Sequence, residues 1–106
     1  MRLSRVTVVV AGSWLLSVLP ALAHSPILAC FYESDTAITC EAGYSDGASG
    51  EGGTIRVLDG NQRLLMEETL GPDSTYTFDM PDAAVFQVDF IGDSTHMVTV
   101  FDDEIF

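Results

Sequence analysis

Two histidines, His24 and His96, carry the most specific chemistry that this sequence offers. His24 follows the small-residue pattern Ala21-Leu22-Ala23, which is typical of a signal-peptidase cleavage site. Cleavage there would give one residue both a free α-amino group and an imidazole, which together form a bidentate metal chelator. With the imidazole of His96 the set has three nitrogens, which suit Cu(II), Ni(II) and Zn(II), and Asp93 or Asp89 is a candidate oxygen ligand.

The same two histidines have a simpler interpretation. Residues near a chain terminus are often disordered, and nothing in the sequence requires His24 to lie near His96. His96 shares strand parity with Val98 and Val100, which are predicted to be buried, so it fits equally well at the rim of a sheet as an inert, hydrogen-bonded side chain. Both interpretations stay open on the sequence alone.

Residues 1–23 have the parts of a secretory signal. Arg2 and Arg5 supply the positive end, a largely apolar run covers residues 6–18, and small residues follow it. The run is shorter than the roughly 20 apolar residues of a membrane-spanning helix, and Pro20 comes close behind it. We therefore predict a cleaved signal helix over 1–23, a single domain over 24–106 without a membrane span, and a periplasmic or secreted location.

The charge of the chain excludes several classes of partner. The formal charge is −12, with 16 acidic side chains, four arginines and no lysine. Loss of residues 1–23 removes two of the arginines and brings the charge to −14. Such a surface repels nucleic acid and anionic membranes and favours cations, so we expect neither DNA nor RNA as a partner.

Cys30 and Cys40 are the only cysteines, and an even number in an exported chain is typical of a disulfide. A domain of about 80 residues has a small core, which such a cross-link would stabilise by about 2–3 kcal/mol. The two cysteines lack the close spacing of zinc motifs. We predict that they face each other across a hairpin and form a disulfide.

From Leu28 onward, short alternating runs are separated by Gly, Pro, Asp, Asn and Ser, a pattern typical of an all-β domain. We predict a seven-stranded, immunoglobulin-like (transthyretin-like) β-sandwich. The glycine-rich segment 45–53 is predicted to connect the two sheets. The predicted strands cover residues 28–33, 36–44, 54–59, 63–69, 74–80, 84–91 and 95–101.

Four segments carry motifs that resemble small carboxypeptidase-regulatory-like sandwiches, a family whose domains have a glycine-bearing loop, a V-x-D-x-x-G hairpin and aromatic strands. These segments are residues 40–47, 54–61, 74–78 and 86–90. Together with segment 92–96, which ends in His96, they resemble periplasmic proteins associated with nickel and cobalt uptake systems. The resemblance implies binding of nickel or cobalt and an envelope metal-transport component as the partner, whereas copper is expected from the nitrogen ligands of His24 and His96.

Catalysis is not predicted. A serine or cysteine triad needs a histidine base with a positioned acid, and the one Gly-x-Ser-x-Gly match, at 43–47, has no predicted helix after it, as a nucleophile elbow requires. A small copper oxidase would need the nitrogen set together with an open substrate face. The acids at 102–104 lack the alternating pattern of a calcium loop and are expected to be solvated. The other interpretation of the whole chain is a non-catalytic structural or protein-interaction module of the cell envelope, without a metal.

Overall fold

The structure, a computed structural model, describes residues 24–106 as an all-β fold with seven strands. The predicted signal at 1–23 lies outside the described residues. All seven predicted strands are confirmed, with ends that differ by at most two residues. Among the described residues there is no α-helix, and hence none long and apolar enough to cross a bilayer. The strands are β1 (Pro26–Ser34), β2 (Ala37–Tyr44), β3 (Thr54–Asp59), β4 (Leu64–Thr69), β5 (Thr75–Asp79), β6 (Phe86–Asp93) and β7 (His96–Phe101).

The strands form two antiparallel sheets, with the order β1-β2-β5 in one and β4-β3-β6-β7 in the other. Segment 45–53 runs from β2 in the first sheet to β3 in the second, as predicted. β4 pairs with β3, in the sheet that also holds β6 and β7. This arrangement differs from the immunoglobulin constant domain, where the fourth strand belongs to the sheet of the first two.

The core consists of inward-facing side chains from both sheets, because alternate residues of a strand point to the same face. Ile38, Val57, Val88 and Phe90 are fully buried at its centre. Val98 and Val100 were predicted to be buried and are only half-buried, since β7 lies at the edge of its sheet. The core cluster contains Leu28, Cys30, Ile38, Cys40, Ala42, Ile55, Val57, Leu70, Phe78, Phe86, Val88 and Phe90.

The predicted disulfide between Cys30 and Cys40 is confirmed. The two residues are direct partners in the β1–β2 hairpin, and both are almost completely buried. A slip of one residue would turn every side chain of β1 to the opposite face, so the cross-link fixes the register of the pair. In this register Pro26, at the start of β1, lies opposite Tyr44, at the end of β2.

A buried carboxylate ties the four-stranded sheet together. Asp89 is 1% exposed and accepts hydrogen bonds from the Nε of Arg56 at 3.1 Å, from Gln87 at 3.0 Å and from the hydroxyl of Thr99 at 2.7 Å. Its donors come from β3, β6 and β7. The charge is thus paired and its oxygens are satisfied, as a buried carboxylate requires.

The acidic end of the chain packs back on the domain. Residues Asp102–Glu104 form a short 3₁₀ turn in which Asp103 and Glu104 are exposed. Beyond it, the amide of Phe106 donates to the carbonyl of Cys30 at 3.2 Å, and the amide of Tyr32 donates to the carbonyl of Phe106 at 2.9 Å. These two bonds place the end of the chain against the outer edge of β1.

Candidate functional site

His24 and His96 lie side by side at one end of the sandwich. Their ring centroids are 5.3 Å apart and their ring planes meet at 80°. His24 lies just before β1 and His96 begins β7, so each sheet contributes one ring. The sequence alone does not determine whether the two histidines lie close together, and the structure brings them together.

Tyr44 is the aromatic support for both imidazoles. Its ring is stacked on that of His24, with centroids 4.1 Å apart and planes 5° from parallel, and it meets His96 edge-on at 6.1 Å. Beneath it lies the buried ring of Phe90, at 5.7 Å. Gly92 makes room for the tyrosine, because a Cβ at that position would overlap the Tyr44 hydroxyl. The histidine pair therefore rests on an aromatic stack that reaches the core.

His24 is held by two residues of the loop directly after β2, Ser45 and Asp46. Its Nδ1 lies 2.9 Å from Oδ2 of Asp46, and its backbone amide donates to the hydroxyl oxygen of Ser45 at 3.2 Å. The amide of Ser25 donates to the same oxygen at 2.9 Å. The hydrogen bond from His24, and secondarily that from the backbone amide of Ala48, lowers the pKa of Asp46 below its ordinary value. Asp46 is consequently a carboxylate at neutral pH.

His96 is held by the turn between β6 and β7. Its Nδ1 lies 2.9 Å and 3.0 Å from the two carboxylate oxygens of Asp93. The backbone amide and the hydroxyl of Thr95 each donate to Oδ1 of Asp93 at 2.8 Å. The hydrogen bond from His96, followed by those from Thr95, holds the pKa of Asp93 far below its ordinary value. Each imidazole thus has an ionised aspartate at its Nδ1.

The predicted oxygen ligands occupy different positions. Asp93 adjoins the pair, with both oxygens directed to the Nδ1 of His96, whereas Asp89 belongs to the buried network of Arg56. Within residues 24–106, no group of three or more His, Cys, Asp or Glu side chains is arranged to hold a metal ion. The two imidazoles with Asp93 therefore do not form a ready three-ligand cluster.

A shallow depression of about 240 Å³ adjoins the site through Tyr44. Glu41 is its one charged lining residue. The rest of its wall is small or apolar, which gives a metal ion too few donors. The other lining residues are Ile27, Ala29, Ala42, Gly43, Gly47 and Ala48. The depression therefore does not offer a metal site of its own.

Tyr44, Ser45 and Asp46 belong to this site but were not predicted from the sequence. The signal that would have found them is the cysteine pair. In an antiparallel hairpin each step back along one strand is matched by a step forward along the other. The register that pairs the two cysteines therefore places His24 opposite Asp46, two residues beyond the last strand pair, Pro26 and Tyr44.

Comparison with known proteins gives no match, since no protein-family model, no curated protein and no solved structure matches this chain. The resemblance to nickel- and cobalt-associated periplasmic proteins therefore stays a prediction from motifs.

Proposed function

We propose that this protein is an exported β-sandwich that binds a transition-metal ion, namely nickel, cobalt or copper, through His24 and His96. The observation that carries the proposal is the 5.3 Å separation of the two imidazole centroids. Imidazole nitrogen is a good ligand for each of these metals. The side chains of His24 and His96 are 43% and 31% exposed, so an ion can reach both from solvent.

Electrostatics supports the same proposal. The domain carries 16 acidic side chains against Arg56 and Arg63, and Arg56 is already paired with Asp89 at 3.1 Å. A strongly negative surface raises the local concentration of cations and speeds their association. The carboxylates of Asp46 and Asp93 stand directly behind the two rings and add negative charge where the ion would bind.

The small number of protein ligands favours transfer of the ion over permanent storage. Two imidazoles leave most coordination positions of Ni(II) or Co(II) to water or to a ligand from a second molecule. A receiving protein can then replace those ligands stepwise. We propose that the recipient is an envelope metal-transport component and that the protein itself is not an enzyme.

The proposal also covers the location of the protein and the class of its fold. A disulfide is stable in an oxidising compartment such as the periplasm or the extracellular space, and Cys30 and Cys40 form one. We propose that residues 1–23 act as a cleaved signal and that the protein works in the periplasm or outside the cell. The two facing antiparallel sheets support an immunoglobulin-like (transthyretin-like) class for the sandwich.

Calorimetric titration of Ni(II) into the chain that begins at His24 tests the proposal. We compare the parent with the double variant His24→Phe, His96→Phe, which keeps an aromatic ring against Tyr44 at both positions but removes the nitrogens. The parent is expected to bind one ion, and the variant to bind at least about tenfold more weakly, a loss of about 1.4 kcal/mol or more. Equal binding by the two proteins would show that the ion binds elsewhere.

A protein-interaction module is the second candidate, and edge strand β4 favours it. β4 has β3 as its one neighbour, and Leu64 and Leu65 are 50% and 37% exposed on it. Exposed sheet edges accept strands from partner proteins. In-cell crosslinking of the parent and of Leu65→Lys tests this role. A partner recovered with the parent and lost with the variant would support it, and recovery of no envelope partner would contradict it.

A further inference from the structure

We infer that the metal ion is held by the Nε2 atoms of His24 and His96, that Asp46 and Asp93 are positioning residues behind the rings, and that the α-amino group is not a ligand. This inference rests on the proposed function and adds the identity of the ligating atoms. It has a consequence for regulation, because a site without the α-amino group does not depend on proteolytic processing next to His24.

The hydrogen bonds determine which nitrogen of each ring is free. An ionised carboxylate can only accept hydrogen bonds, so a ring nitrogen 2.9 Å from one carries the proton. This applies to Nδ1 of His24, which faces Asp46, and to Nδ1 of His96, which faces Asp93. A neutral imidazole has one such proton. The lone pair that can bind a metal is therefore on Nε2 in both rings.

Metal-binding histidines commonly donate their second nitrogen to a carboxylate, which fixes the tautomer and makes the ligating nitrogen more basic. Asp46 and Asp93 supply this contact from two different places in the fold, the loop after β2 and the last residue of β6. Asp93 is itself oriented by two hydrogen bonds from Thr95. Both acceptors are thus in place before an ion arrives.

Chelation through the α-amino group would disrupt the contact between His24 and Asp46. Of the two ring nitrogens, Nδ1 is the one close enough to the backbone to close a chelate ring with the nitrogen of the same residue. In His24 the Nδ1 faces Asp46 at 2.9 Å and the backbone nitrogen donates to Ser45 at 3.2 Å. The chelate needs the lone pair of Nδ1 and would therefore break its contact with Asp46, on a ring that is stacked on Tyr44 at 4.1 Å. Coordination by Nε2 keeps all three contacts.

The separation of the rings fits a shared ion. With metal–nitrogen bonds of about 2.0–2.1 Å, two imidazoles on one tetrahedral ion have ring centroids roughly 5 Å apart. The centroids of His24 and His96 are 5.3 Å apart. Rotation about a metal–nitrogen bond leaves the ring planes independent of each other, so the angle of 80° between them is compatible with one ion.

Selective acetylation provides the test, because the chain has no lysine and the processed protein has the α-amino group of His24 as its one primary amine. Ni(II) is titrated into the processed protein before and after acetylation. The expected result is that the two dissociation constants agree within about twofold. A loss of tenfold or more on acetylation, about 1.4 kcal/mol, would overturn the inference and leave the proposed function standing. Absence of binding in both forms would contradict the proposed function as well.

The positioning role has its own readout. Asp46→Asn and Asp93→Asn are each expected to weaken Ni(II) binding by about 10- to 100-fold. Asp35→Asn is the matched control, because the substitution removes the same charge at a distance from the site. Asp35 lies in the exposed turn at the opposite end of the β1–β2 hairpin. Nitrogen-15 NMR of the metal-free protein is expected to show a protonated Nδ1 in both rings. A protonated Nε2 in either ring, or an equal effect of all three variants, would overturn the assignment.

Discussion

Reduction of the Cys30–Cys40 disulfide tests how strongly this cross-link stabilises the domain. The two cysteines are 10 residues apart in sequence, and release of a loop of that size costs about 2.7 kcal/mol of stability at 25 °C in the chain-entropy model. A domain of about 80 residues has a total stability on the order of 4–12 kcal/mol, so the loss is a large fraction of the whole. With a urea dependence of about 1 kcal/mol/M, the unfolding midpoint should fall by about 2–3 M.

Urea unfolding of the oxidised and reduced forms measures this difference. The one tryptophan, Trp14, belongs to the predicted signal, so tyrosine fluorescence and far-UV circular dichroism are the suitable probes. The double variant Cys30→Ala, Cys40→Ala controls for direct effects of the reductant and should not respond to it. A midpoint shift below about 0.5 M in the parent would refute the reasoning, because packing alone would then hold the hairpin.

Two further predictions concern the support of the site and the response to acid. Gly92→Ala is expected to destabilise the domain by about 1–3 kcal/mol and to weaken Ni(II) binding, because its Cβ displaces Tyr44, whereas Gly71→Ala, with no atom within 4 Å of the new Cβ, should do neither. Comparable urea midpoints for the two variants would contradict this. The hydrogen bond from the backbone amide of Arg63 lowers the pKa of Asp59 from its ordinary 3.8. The contribution of Asp59 to the free energy of unfolding is therefore present above about pH 4 and is lost as the pH falls through the lowered pKa of the folded state. Asp59→Asn should thus be less stable than the parent at pH 7 and equally stable in strong acid.

The strands and the disulfide could be predicted because both follow from local rules. Alternation along β3 places Ile55 and Val57 on the inner face, and the structure buries both. The parity of Cys30 and Cys40 in a short hairpin sets them opposite each other, as the structure confirms. Turn residues then marked the ends of the strands to within two residues.

The candidate site could not be predicted from strand alternation in the same way. Whether His24 approaches His96 depends on how the two sheets are placed over each other, and alternation within a strand carries no information on that placement. The half-buried state of Val98 and Val100 has a similar cause, because edge position depends on strand order. The position of Asp46 opposite His24 could have been predicted, because it follows when the hairpin register set by the two cysteines is extended to the end of the hairpin.

Anomalous X-ray diffraction from a crystal of the processed protein grown with Ni(II) tests the central claim most directly. The predicted result is one strong anomalous peak between the rings of His24 and His96, about 2.0–2.1 Å from Nε2 of each. Asp46 and Asp93 should keep their contacts to Nδ1. The claim would be contradicted by a peak among surface carboxylates away from the histidines. It would also be contradicted if no ion lay between the two histidine rings at saturating Ni(II).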